Sequence, residues 1–275
     1  MAAKKHGNLE KKNQKWIKEG RGTGRGKSYK PWLTVRDLAS SGRSHRLFGH
    51  KSQRTHHLFS DLELSVFLLL EWHIDTEEIR EQFPLRLEET TVLATAAGIA
   101  HPSFQGSFQI MSSDFLVNTR DKSRPIFSLQ AKYSKDLQNA RTVEKLELER
   151  RYWLQKDVPW MLITEKDIPK VLFENIKWLY AAQSNESSKV QIPNRVDFFC
   201  HHFNKKPDDT IFEIAKALDI AYEQEPGENL REIRYLLSTR CFLFDFTIPF
   251  RKLKASDLQV ANVPALLEGL RVSSQ

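Results

Sequence analysis

The sequence predicts an α/β fold in two parts: a mixed-sheet domain, then a smaller α+β unit of helices closed by a β-ribbon. Three observations predict it. Residues 110–118 and 126–133 are short alternating runs joined by the polar stretch 119–125, the pattern of a β-hairpin. A charged helical stretch at 139–156 leads into the apolar run Val158–Thr164, so the last strand enters parallel through a helical crossover. Beyond the polar segment 183–188 the pattern changes to short helices and a terminal strand. At 275 residues with 40% apolar content, the chain is long enough for two cores.

Taken in order, residues 1–30 carry ten Lys/Arg against two acids, while the whole chain is +7 with a pI near 9.3. The rest is therefore close to neutral, and the basic character sits in an N-terminal segment expected to be a flexible arm. Such an arm suits nucleic-acid phosphate, and it equally suits a solubilising tail. Its Gly20-Arg-Gly-Thr-Gly-Arg-Gly-Lys27-Ser28 ends like a Walker A loop, but Arg21 stands where the first glycine belongs. Leu62, Val66, Leu69 and Leu70 fall at helical spacing and predict a helix over about 61–73. In the hairpin, period two places Asp114 with Leu116 on one face, and Gln130 with Lys132 on one face of the partner strand. Further helices are expected over 171–182, 211–218 and 230–237, with a strand over 241–248, consistent with a winged helix. The domain plan is thus an arm at 1–30, a catalytic domain at 31–182 and a winged-helix-like domain at 183–275.

Cys200 and Cys241 are the two cysteines, too few for a disulfide framework, and no apolar run reaches membrane-spanning length. The expectation is a cytoplasmic protein with no membrane partner. His56, His57 and Glu63, or Cys200, His201, His202 and Cys241, lack the paired spacing of transition-metal sites.

Hydrolysis of a phosphodiester calls for hard oxygen ligands converging beside the scissile phosphate, with a cation to meet the developing charge. Asp114 and Gln130 supply a carboxylate and an amide oxygen, and the Ala131 carbonyl could add a ligand. Lys132 would orient water or stabilise the transition state. Glu63 completes a carboxylate pair if its helix packs behind the hairpin, and Glu149 is a secondary candidate. Each has an ordinary reading beside the chemical one. Ser60-x-x-Glu63 is also a capping box, and Asp114, Gln130 and Lys132 also fit the solvent face of a half-exposed hairpin. The carboxylate pattern alone does not choose.

The choice comes from longer motifs: Glu19-Gly-Arg-Gly-x-Gly-x-Gly-Lys27, Tyr29-x-Pro-Trp-Leu-Thr-Val35, Ser40-Ser-Gly-Arg-Ser-His-Arg46, Ser60-Asp-Leu-Glu-Leu64, Arg80-Glu-Gln-Phe-Pro-Leu85, Met111-Ser-x-Asp-Phe-Leu-Val117 and Glu144-Lys-Leu-Glu-Leu-Glu-Arg-Arg-Tyr-Trp153. With these the chain resembles the TnsA endonuclease subunits of heteromeric bacterial transposons over most of 19–180. The resemblance implies a restriction-endonuclease-like domain in which Glu63 and Asp114 ligate two Mg²⁺ ions, or Mn²⁺ as a substitute. It places Gln130 and the backbone of Ala131 beside them and Lys132 as the catalytic lysine. Ala131 stands where a family member carries Val, a change that a backbone ligand tolerates. The implied task is cutting the 5′ ends of transposon-end DNA, alongside a DDE-type (TnsB-like) transposase and an AAA+ (TnsC-like) ATPase regulator. Beyond residue 183 the resemblance thins to Asp219-Ile-Ala-Tyr222 and Leu230-x-Glu-Ile-Arg234. The alternative is a non-catalytic adaptor built on a degenerate nuclease fold.

Overall fold

The computed structural model describes residues 3–37, 42–183 and 192–261. The chain divides into two compact units, Met1–Ile168 and Pro169–Gln275.

The first unit is built on a four-stranded mixed sheet, ordered β3 (Thr76–Pro84), β6 (Ser112–Thr119), β7 (Ile126–Ala131), β8 (Trp160–Ile163). β3, β6 and β7 run antiparallel in turn, and β8 lies parallel to β7 after the crossover helix α4 (Ala140–Gln155). Asn139 caps that helix by accepting from the backbone N–H groups of Arg141 and Thr142. The hairpin, the crossover helix and the parallel strand stand where periodicity put them. Helix α4 and helix α3 (Leu87–Ala97) cover the sheet through a cluster of Leu85, Leu93, Leu116, Leu148, Tyr152 and Trp153. Helix α2 (Asp61–Trp72) buries Leu62, Val66, Phe67, Leu68 and Leu70, which is apolar nearly all round, as a helix enclosed by protein must be. It packs on β3 and β7 and on a separate hairpin of β1 (His45–Gly49) and β2 (Arg54–Leu58). A two-residue hairpin, β4 (Ser103–Phe104) with β5 (Ser107–Phe108), precedes β6.

Period two breaks at Asp114. Ser113 bonds Trp153 and Glu149 of α4, and Leu116 shares an apolar cluster with Trp153, so both meet the same helix. The shared face expected for Asp114 and Leu116 is therefore lost. The break coincides with a kink on the neighbouring strand, where Gln82, between the pairs Glu81–Phe115 and Phe83–Ser113, has φ +48°.

The expected flexible arm is instead an ordered element. Residues Ala3–Lys18 form helix α1, whose Trp16 is buried edge-on against Trp32 at 5.1 Å. The glycine-rich loop that follows lies along the outer edge of β3. Gly22 there has φ +76°, and a Cβ on it would stand 2.2 Å from Pro84 Cγ, so only glycine fits. The Gly26 N–H donates to Glu78 Oε1 at 2.6 Å, Tyr29 Oη donates to the Glu81 carbonyl at 3.1 Å, and the Trp32 N–H donates to the Gln82 carbonyl at 3.1 Å. Edge carbonyls that would otherwise invite another strand are thereby taken.

The second unit contains helices α5 (Lys170–Tyr180), α6 (Ile192–Lys205), α7 (Ile211–Ala221) and α8 (Glu228–Ser238). A two-residue ribbon, β9 (Phe242–Leu243) with β10 (Gln259–Val260), follows them. Ile176, Leu179, Phe199, Ile211, Ile233 and Phe242 are among its most buried side chains. Thr210 and Glu213 form a reciprocal capping box at the start of α7. Asp219 holds the α7–α8 turn through the backbone N–H groups of Gly227 and Asn229. Part of the polar segment 183–188 lies outside the described residues. The division between units falls before α5, because Asn175 of that helix binds the carbonyls of Phe246 and Ile248 at 2.9 and 2.8 Å and accepts from Phe250 N–H at 2.8 Å.

The same three bonds explain why the strand expected over 241–248 ends at Leu243. Residues 245–248 turn on Asp245, and their carbonyls go to Asn175 instead of a partner strand. Asn175→Ala strands three partly buried backbone groups and is expected to lower the stability of this unit by about 1–3 kcal/mol. Urea denaturation of the full chain measures it, and a loss below about 0.5 kcal/mol would remove the anchoring role.

Candidate active site

Past Phe115 and Leu129 the ladder between β6 and β7 stops being backbone to backbone. Asp114 Oδ2 accepts the Ala131 N–H at 2.9 Å, and Gln130 Oε1 accepts the Asp114 N–H at 3.0 Å. Two side chains thus replace two carbonyls, opening the strand ends and fixing both side chains to within a hydrogen bond. Lys132 follows directly, its N–H bonded to the Ile163 carbonyl of β8 at 3.0 Å.

Glu63 comes to the same place from α2. Ser60 Oγ accepts the Glu63 N–H at 3.0 Å and so caps the helix, but the expected box is not closed: Glu63 Oε2 accepts the N–H of Phe59, one residue before the cap, at 2.9 Å. Such a cap contributes about 1 kcal/mol. It does not exclude the other reading, because the same carboxylate is held beside Asp114. The Gln82 amide spans the two: its Nε2 is 3.5 Å from Glu63 Oε2 and 3.3 Å from Asp114 Oδ1. Ser112 Oγ donates to the other end of that amide at 3.0 Å. A buried non-glycine residue held at positive φ costs roughly 1–3 kcal/mol, and that cost falls here on the residue joining the two acids.

The electrostatics follow from burial. Glu63 is pushed up from 4.5 to about 8, first by burial and then by Asp114, against the Phe59 N–H and Lys132. Burial likewise raises Asp114, although Lys132 and the Ala131 N–H oppose it. Lys132 is raised by Asp114 first, then by Glu63 and Glu149, and so stays an ammonium at neutral pH. Two buried acids held side by side, a fixed amide oxygen and a lysine beside them make a hard-oxygen site whose acids are costly to ionise without a further cation. That donor set fits a Mg²⁺-like ion, and Asp114 Oδ1 and Glu63 Oε1, each held by one bond at 3.3 Å, are its least committed oxygens.

Glu149 lies close enough to raise Lys132 and to be raised by Asp114, but its hydrogen bonds run elsewhere. Its Oε1 accepts from Ser113 Oγ at 2.6 Å and Trp160 Nε1 at 2.9 Å, and Ser113 Oγ accepts from Trp153 Nε1 at 2.8 Å. Burial drives it to about 8, those bonds offsetting the rise only in part. These contacts brace β6 one residue before Asp114.

A second buried network has the connectivity of a hydrolytic triad. Ser52 Oγ lies 2.6 Å from His56 Nε2, and His56 Nδ1 lies 2.8 Å from Glu81 Oε2. His56 and Glu81 are 0% exposed, and Arg54 grips the same carboxylate, so no substrate reaches it. Although burial opposes ionisation, His56 and Arg54 hold Glu81 down to about 2. Its work is to fasten β2 to β3. Among the described residues no three His, Cys, Asp or Glu side chains converge as a cation cluster, and no helix is long and apolar enough to cross a membrane. Cys241 Sγ meets the Thr239 hydroxyl at 3.4 Å.

The sequence reading named Glu63, Asp114, Gln130 and Lys132, and the fold brings them together. It gave no role to Gln82, Ser112, Ser113 or Trp160. Arg80-Glu-Gln-Phe-Pro-Leu85 and Met111-Ser-x-Asp-Phe-Leu-Val117, two of the motifs that carried the resemblance, contain three of these four residues.

Residues 73–165 match the TnsA-like endonuclease N-terminal family, and residues 167–246 match the TnsA endonuclease C-terminal family. The first match takes in Gln82, Asp114, Gln130, Lys132 and Glu149 and begins after Glu63. The chain is also similar to the transposon Tn7 transposition protein TnsA of Escherichia coli, at 47% identity over 247 residues, 90% of each chain.

A raised carboxyl pKa means the fold binds its proton more tightly than the unfolded chain does. Glu63 therefore contributes stability that is full below 4.5 and is lost as pH rises through about 8. Without divalent metal, the melting temperature is expected to fall between about pH 5 and 8, and Glu63→Gln to flatten the fall. A wild-type melting curve independent of pH in EDTA would contradict the buried-acid assignment.

Proposed function

The chain belongs to the TnsA endonuclease family, and from that premise we propose that it is the subunit of a heteromeric transposase that hydrolyses the 5′-end strands of transposon DNA. The observation that carries the reading is the convergence of Glu63, Asp114 and Gln130 at the splayed ends of β6 and β7, with Lys132 alongside.

Glu63, Asp114 and Gln130, with the Ala131 carbonyl, would hold Mg²⁺, as a pair of ions or with Mn²⁺ in its place. Metal bound there supplies charge that lowers the pKa of water and offsets the charge growing on the scissile phosphate. The chain's own part is positioning. The Ala131 N–H fixes one oxygen of Asp114, and the Phe59 N–H and Ser60 fix Glu63, so neither acid has to be ordered when DNA arrives. Lys132, kept protonated by Asp114, offers its ammonium to the phosphate oxygens where negative charge develops, and is not a base.

The 3′ strands fall to a DDE-type transposase partner, and an AAA+ ATPase regulator brings the assembly to its DNA. The relative named above is itself a transposition protein. We read the helices and short ribbon of the second unit as a winged-helix-like domain suited to docking partners. A purely adaptor role would leave no reason to hold two mutually repelling acids and a lysine in one buried place.

Strand-specific cleavage of transposon-end DNA, with Mg²⁺ and the cognate transposase present, tests the reading. Asp114→Ala and Lys132→Ala are each expected to slow 5′-strand cutting by about 10²–10³-fold while 3′ cutting persists. Unchanged 5′ cutting in both variants would move the activity to another subunit.

A further inference from the structure

The Gln82 amide stands between Glu63 and Asp114, and the cleavage chemistry described so far does not use it. Its Nε2 faces Glu63 Oε2 and Asp114 Oδ1, at 3.5 and 3.3 Å. Asp114 Oδ2 is already taken by the Ala131 N–H, so Oδ1 is the oxygen that a shared cation would draw on. An N–H₂ group aimed at that spot carries partial positive charge and cannot remain there with an ion in place.

The backbone offers the side chain little freedom to leave. Gln82 is 4% exposed, and the Trp32 N–H holds its carbonyl at 3.1 Å. What the amide can do without moving the strand is turn over about its terminal torsion, which is broad and two-fold. Ser112 makes this nearly free of lost bonds. Its hydroxyl now donates to Gln82 Oε1 at 3.0 Å, and a hydroxyl accepts as readily as it donates. Turned over, Nε2 donates to Ser112 Oγ and Oε1 faces the acids. Both ends of the amide keep a partner in either orientation.

We propose that Gln82 is a two-state residue of the cation site: it donates to Glu63 and Asp114 in the metal-free protein and turns over to present Oε1 when a divalent ion binds. The idea rests on reading Glu63 and Asp114 as the cation-binding pair. In the free state the amide keeps two repelling acids together, and in the loaded state it adds a neutral hard oxygen, which favours Mg²⁺ or Mn²⁺ over softer ions. Gln82 thereby sets metal affinity without touching the scissile bond.

Mn²⁺ binding to the full-length chain, measured by electron paramagnetic resonance without DNA or partners, gives the test. Gln82→Met keeps the length but removes both the donor and the amide oxygen, and is expected to weaken binding by about 10–100-fold. Gln82→Glu restores an oxygen and is expected to bind at least as tightly as wild type. If Gln82→Met binds as tightly as wild type or more so, the amide is only a plug that metal displaces, and the proposal fails. Asp114→Ala separates this failure from a deeper one. Loss of binding in Asp114→Ala with none in Gln82→Met overturns the amide alone, whereas unimpaired binding in Asp114→Ala overturns the site and the amide together. A measurement on the unmutated chain removes any dependence on variant folding: the Gln82 side-chain N–H₂ resonances are expected to shift on Mg²⁺ saturation, and unmoved signals would sink the turnover.

Discussion

Everything distinctive about the first unit depends on β6 and β7 ceasing to pair by backbone at Asp114. Continuing the ladder would have buried two neutral peptide groups at almost no electrostatic cost. Instead a carboxylate takes the Ala131 N–H and an amide takes the Asp114 N–H. The hydrogen-bond count is preserved while the strand ends separate, and the space created is lined with oxygen. The consequence is an acid whose proton affinity rises on burial and a lysine whose charge is secured by that acid. Catalytic potential and local instability are the same feature seen from two sides.

Such an opening survives only if the flanking strand cannot relax into it. β3 is held from outside at several carbonyls and at two acids, Glu78 and Glu81. Tyr29 and Trp32 take the Glu81 and Gln82 carbonyls, Arg54 takes the Ile79 carbonyl at 3.0 Å, and Arg54 and His56 clamp the Glu81 carboxylate. Removing one partner of a buried ion pair like Arg54–Glu81 usually costs about 3–5 kcal/mol, more than the strain at Gln82. The clamp therefore wins over the kink, and Gln82 stays where its amide meets Glu63 and Asp114. The glycine-rich loop, which resembled a phosphate cradle in outline, is part of this clamp.

Elements whose signal is local were legible from sequence. The α2 spacing, the alternating runs of β6 and β7, and the charged crossover of α4 each repeat within a few residues, and the observed bounds fall close to the expected ones. β3 was not legible, because Glu77, Glu78, Arg80 and Glu81 make Thr76–Pro84 look like surface. Those charges are satisfied by Arg120, Arg25, Asn118 and Arg54, between 27 and 53 positions away, and no window reading can supply such partners. Gln82 was missed for the same reason. The N-terminal segment misled in the opposite direction: its charge density suggested a free arm, whereas Trp16, Tyr29 and Trp32 are core residues set among lysines. Four site residues could be named because the chain resembles a known family over most of 19–180, but the opening that gives them their chemistry lies in register and cannot be read from type.

Glu149 shows what hydrogen bonds add to residue type. It is an acid near Lys132 and as strongly perturbed as Glu63, yet its bonds run to Ser113 and Trp160 and so tie β6 to α4 and β8. Ser113 receives Trp153 from the same helix and is adjacent to Asp114, so this network fixes the strand on one side of the kink as Gln82 fixes it on the other. An acid raised to about 8 by burial is largely protonated at neutral pH, and a protonated carboxyl can join such a network as donor or acceptor. Glu63 is raised to the same value, so what separates the two acids is placement: Glu63 shares the Gln82 amide with Asp114, whereas the Glu149 oxygen is committed to Ser113 and Trp160.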